Sequence, residues 1–155
     1  MPAFVEDLPN VRAIEVVSRE TDGPITRIHN VWHGSTELPT ALAKALEARF
    51  LAWDAHAVWD ADARVCDFTI RPRTLLRDAL ECQGRTELIE LSKDRTRLDM
   101  TGELAIDLDK VRGIPGFLAG SLGRSAESFL MRQVTLNLES MSHAIAAYLR
   151  EDTIA

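Results

Sequence analysis

A chain of 155 residues is long enough to bury a hydrophobic core without a metal or disulfide staple, and short enough to form one domain over 1–155. With 46% hydrophobic and 27% charged residues its composition is globular, and a net charge of −6 argues against a nucleic-acid partner, because a phosphate backbone would be repelled. No apolar run approaches the roughly 20 residues of a membrane span, and the N-terminus MPAFVEDLPNVR is acidic where a secretory signal is basic, so a cytoplasmic location is expected.

In chain order, Ala13 to Arg19 and Thr26 to Trp32 are rich in Ile, Val and Thr and flank the turn signal Thr21-Asp22-Gly23-Pro24, which predicts a hairpin. Pro39 opens a helical pattern over Leu38 to Leu51, with Leu42, Leu46 and Phe50 on one side and Lys44 and Glu47 on the other. Strand alternation resumes at Trp53, turns at Asp60-Ala61-Asp62, and continues from Arg64 to Ile70. Three more strands are expected: Asp78 to Gln83, Thr86 to Leu91, and Arg95 to Leu108, the last open to a break at Gly102. A hairpin turning at Arg71 to Thr74 would set Cys66 near Cys82, Phe68 near Leu80 and Ile70 near Asp78, with both thiols facing inward.

The last third carries the strongest signal. After Ile114-Pro115-Gly116, one amphipathic run reaches Arg150, with an irregular or kinked start expected where glycines cluster at 113, 116, 120 and 123. At the 3.6-residue period Leu122, Ala126, Phe129, Leu130, Val134, Met141, Ala144, Ile145 and Tyr148 form one broad face, and Arg124, Ser128, Arg132, Glu139, His143 and Arg150 the opposite one. Gln133 and Asn137 fall inside the apolar arc and Glu127 at its edge. Burying an unpaired polar group costs about 1–3 kcal/mol, so polar groups on a buried helix face predict a lined cavity rather than a plain core. Strands joined by tight turns and followed by a helix that covers one sheet face define the α+β class.

The candidate chemistry is sparse. His29 and His33 are four apart but lie in a strand-like context, which separates them by about 13 Å, too far to share one ion; no metal and no cofactor is expected. No nucleophile elbow surrounds any serine, and the glycines near Leu118 lack the Lys and Ser/Thr of a phosphate loop. Proton transfer, if the chain is an enzyme at all, would fall to Glu127, His56 or Asp78. A cavity for an apolar ligand would be lined by Phe68, Leu80, Leu98, Met100, Phe129 and Met141, with Gln133 and Asn137 orienting a polar end of the ligand.

An antiparallel sheet closed over a long C-terminal helix resembles the START-like (SRPBCC, Bet v 1-like) superfamily with its helix-grip fold. The resemblance rests on Pro9 to Val17 leading into Asp22-Gly23, on Trp32, on Gly84 and Gly102, on Ile114-Pro115, and on the closing Asn137-Leu138 to Tyr148-Leu149 helix. It implies a curved sheet wrapped around the helix and binding of a hydrophobic small molecule or lipid in the space between, with a polyketide cyclase-like enzyme as the alternative. Family members begin with a strand and a helix before the segment matched here by Phe4 to Val17, and those elements are expected to be missing. The sheet edge so exposed would need cover, a second copy of the chain being one source. The helix at Leu38 to Leu51 is an addition to the simplest family plan, either a lid or ordinary edge packing.

Overall fold

The computed structural model describes residues 8–152. Six strands, β1 (Val11–Asp22), β2 (Ile25–Glu37), β3 (Phe50–Asp60), β4 (Val65–Pro72), β5 (Leu80–Ser92) and β6 (Arg95–Ile106), form one antiparallel sheet in sequence order. A short helix α1 (Thr40–Ala45) links β2 to β3, and the long helix α2 (Gly116–Asp152) closes the chain. This is the α+β helix-grip architecture, a curved antiparallel meander around a C-terminal helix.

Local chemistry explains the turns. Gly23 takes φ 56°, a left-handed conformation that costs a residue without a Cβ nothing, and the β1–β2 strands close at Asp22 opposite Ile25. Between β3 and β4 the Asp60 carboxylate accepts the backbone N–H groups of Asp62 and Ala63 at 3.0 and 2.9 Å, fixing the corner.

The sheet has one apolar and one polar face. Trp32, Trp53, Leu80, Leu104 and Ile106 turn toward α2, while the other face carries cross-strand ion pairs such as Arg85–Asp67 and Arg71–Glu81. Two apolar clusters hold the helix. The larger joins Leu38, Leu42 and Leu46 of the α1 region to Leu76, Leu80, Leu108, Val111 and Ala126, with Phe129 and Leu130 packed on it. The smaller joins Leu8, Val11 and Ile14 to Trp32, Trp53 and Met141.

Several expectations are corrected. The α1 helix is six residues rather than fourteen positions long, because Glu47 at φ 49° ends the helical path and Phe50 enters β3 opposite Glu37. It packs into the larger core cluster. The two strands expected on either side of Gly84 are one strand, β5, and β6 runs unbroken through Gly102. Asp78 lies not in a strand but in a 3-10 turn, Leu75–Asp78, whose Leu76 is 2% exposed. That turn lengthens the β4–β5 connection, so Cys66 pairs with Thr86, Phe68 with Gly84 and Ile70 with Cys82. The shift is even, and a strand's side chains alternate with period two, so both cysteines still face inward. The helix α2 is continuous from Gly116, the irregular start being confined to Gly113 at φ 88° and the 3-10 turn Leu108–Lys110. Of its expected apolar face, Ala126 and Ala144 are buried but Val134 is 42% exposed, and the side chain of Tyr148 lies outside the described residues. Residues 4–7 of the segment matched to the family also lie outside them.

Candidate ligand-binding site

The two clusters grip α2 at separate places along its length, through Ala126, Phe129 and Leu130 on one side and Met141 on the other. Between them on the helix stand Gln133 and Asn137, about two turns and one turn before Met141, both half-buried. The helix backbone has its nearest neighbours in α1 and the Leu108–Lys110 turn, and it meets the sheet through side chains. Opposite the gap the middle strand β3 offers Ala55 and Ala57, small residues that leave room beside the Ile70 and Phe68 with which they pair.

Buried polar atoms without partners stand on both α2 and β2. Asn137 Oδ1 on the helix and Asn30 Oδ1 and Trp32 Nε1 on β2 are buried and make no hydrogen bond. Asn30 and Trp32 are two residues apart on one strand, hence on one face about 6.6 Å apart. They sit beside the stacked Trp32–Trp53 pair, ring centroids 6.2 Å apart, which like Met141 packs on the cluster of Leu8, Val11 and Ile14. Together they offer an N–H donor and carbonyl acceptors to a molecule that supplies the complement. Native interiors satisfy nearly all such groups, with ordered water or a bound molecule where protein partners are lacking.

Two thiols, of Cys66 and Cys82, stand on this inner face. Burial pushes the Cys66 thiol up to about 11, and burial raises Cys82 as well, so both stay protonated at neutral pH and are poor nucleophiles.

The polar face carries a second feature. An open groove of about 740 Å³ is lined by His56, Asp67, Thr69, Gln83, Arg85 and Glu103. Nearby, His29 Nε2–H donates to Asp54 Oδ1 at 2.8 Å, Arg73 pairs with the other Asp54 oxygen at 3.3 Å, and the His29 and His56 rings stack at 4.1 Å. The hydrogen bond from His29, with Arg73 adding to it, holds the Asp54 carboxyl below its usual range against the opposing effect of burial. Arg85 grips Asp67 with two parallel bonds at 2.7 and 2.8 Å and holds that carboxyl down too.

The residues named from sequence fall as follows. Gln133 and Asn137 are half-buried on α2, Met141 packs on the smaller cluster, Phe129 on the larger, and Leu80 is buried within the larger. Phe68 is half-buried and covers Gly84, where an added Cβ would meet its ring at 2.5 Å. Met100 is half-buried and Leu98 is 39% exposed toward the β6 edge. Of the candidate proton-transfer groups, His56 lies on the polar face, Asp78 is exposed in its turn, and Glu127 is exposed beside a shallow cleft with Arg124. Sequence reasoning missed Asn30 as a site residue and the His29–Asp54 contact. An Asn amid the inward row Ile28, Asn30, Trp32 was the available signal for the first; the second needs the β2–β3 register, in which His29 falls opposite His56.

The class this fold defines is the helix-grip architecture, an antiparallel sheet curved around a long C-terminal helix. The structure is similar to that of the ZhuI aromatase/cyclase from Streptomyces sp. R1128, with a TM-score of 0.56 and 13% identity, covering 91% of this chain and 78% of that one. No family model matches the chain, and no curated protein matches it in sequence.

Proposed function

We propose that the chain is a START-like protein that binds a hydrophobic small molecule or lipid between α2 and the sheet. The observation that carries this reading is the set of buried polar atoms without partners, Asn137 Oδ1 on α2 and Asn30 Oδ1 and Trp32 Nε1 on β2. In this reading Phe68, Leu98, Met100, Phe129 and Met141 take the apolar body of the ligand, Leu80 backs them from the core, and Gln133 and Asn137 join Trp32 in holding its polar end. The protonated thiols Cys66 and Cys82 stand on the inner face, and the His29–Asp54 pair lies on the other side of the sheet, which favours holding a ligand over transforming it. The second reading, a cyclase-like enzyme using the same cavity, is supported by the similarity to the ZhuI aromatase/cyclase fold.

Native mass spectrometry of the purified protein, followed by solvent extraction, tests the proposal. The expected result is a co-purifying apolar molecule in stoichiometric amount, lost in Asn137→Leu while the fold survives. Removing an unpartnered buried amide should also raise the unfolding free energy of the empty protein by about 1 kcal/mol. A chain that is empty and takes up no hydrophobic fluorescent probe sinks the reading; uptake followed by release of an altered molecule favours the enzyme.

A further inference from the structure

The sheet has two outer strands, and they are built differently. β1 meets β2 with irregularities between Val11 and Ala13 and between Val16 and Ser18, the kind of bulge that blunts an edge. β6 pairs with β5 without interruption from Ile106 to Thr96, contains no proline, and turns an unbroken row of backbone N–H and C=O groups outward. Such an edge is a template for another strand.

We infer that the β6 edge pairs antiparallel with the β6 edge of a second copy, about a two-fold axis at Met100. Side-chain complementarity selects both the partner and the register. Antiparallel partners share a face, so only registers centred on a residue keep the apolar and polar faces continuous. Centring on Asp99 sets Asp99 against the partner's Asp99, and centring on Thr101 sets Asp99 against the partner's Glu103, like charges in both cases. Centring on Leu98 leaves Gly102 to Ile106 unpaired, and centring on Gly102 leaves Arg95 to Arg97 unpaired and Glu103 opposite the partner's Thr101. Centring on Met100 pairs the strand from Arg95 to Ala105, with Arg97 opposite the partner's Glu103 and Asp99 opposite the partner's Thr101, each contact occurring twice.

Shape agrees with charge. On the inner face Leu98, a large side chain 39% exposed, falls opposite the partner's Gly102, which has no side chain. Arg97 already bonds Asp99 at 2.9 Å, and its fork has donors to spare, whereas Glu103 makes no ion pair among the described residues. The groove on the polar face ends at Thr101, Gly102 and Glu103, so pairing would continue it into the second copy.

Sedimentation equilibrium over a concentration series, on the full chain and on three variants, tests this. The wild type should be a reversible dimer. Glu103→Arg and Arg97→Glu should each weaken it about tenfold or more by setting like charges opposite each other, and the double variant R97E/E103R should restore it. Thermal unfolding of each variant checks the fold, and if one single variant fails to fold, the other two carry the comparison. A wild type that stays monomeric overturns the inference and leaves the edge to a different strand. A dimer that ignores the single reversals, or is not restored by the double, overturns it as well.

Discussion

Four buried polar atoms among the described residues, on Asn10, Asn30, Trp32 and Asn137, lack partners, while the Asp54 carboxylate on the sheet's polar face has more than one. Asp54 accepts from His29 and pairs with Arg73, and its carboxyl is held below the ordinary range chiefly by the His29 bond. A carboxyl whose folded pKa is depressed contributes stability that is complete above its unfolded pKa of about 4 and is lost as pH falls through the folded value. Asp54→Asn should therefore cost about 1 kcal/mol at pH 7, the modest size reflecting a partly exposed site. In urea melts at a series of pH values, the gap between wild type and variant should hold down to about pH 5 and close below about pH 4. A gap that persists unchanged at pH 3 would show that Asp54 acts by packing and not by charge.

At the scale of elements, glycine placement decides how the strands bend and pack. An added Cβ at Gly84 would collide with the Thr101 carbonyl oxygen and lie 2.5 Å from the Phe68 ring and 3.0 Å from the Gly102 Cα. At Gly102 the nearest atom is the Gln83 carbonyl oxygen at 3.2 Å. Gly84→Ala should cost about 2–3 kcal/mol by denaturant unfolding, Gly102→Ala clearly less, and adding Phe68→Ala should not rescue Gly84→Ala because the backbone clash remains. The sequence pattern presented Gly84 as the boundary between two strands, when it is where one strand lets an aromatic ring lie flat. Turns were legible because their signals are local: Asp22-Gly23-Pro24, the Asp60 corner and Lys93-Asp94 each mark a connection that the structure contains. The β4–β5 register was not, since it depends on a 3-10 turn anchored by the burial of Leu76 against residues distant in sequence. For the same reason the polar positions of α2 could be read from helical period, while Asn30 and the His29–Asp54 pair emerged only once the strands were aligned.

On the scale of the whole molecule, the two apolar clusters hold one helix at different places along its length and close to different degrees. The larger cluster closes around Leu76, Leu42 and Ala126, each 2% exposed, and draws on α1, both 3-10 turns, β5 and the first half of α2. The smaller cluster is looser, with the half-buried Trp32, Trp53 and Met141 packed on Leu8, Val11 and Ile14 beside the unpartnered polar atoms. Leu76→Ala empties a fully enclosed site and should lower the unfolding free energy by about 3 kcal/mol, whereas Met141→Ala, at a half-buried position with room to relax, should cost about 1 kcal/mol. If the ligand lies in the gap, the ranking reverses for binding: Met141→Ala should weaken uptake of an apolar probe several-fold, and Leu76→Ala, measured where the protein is still fully folded, should leave it unchanged. Calorimetric titration alongside chemical unfolding separates the two quantities. Equal losses of stability and of binding in both variants would mean that the two clusters act as one core and that no separate cavity exists between them.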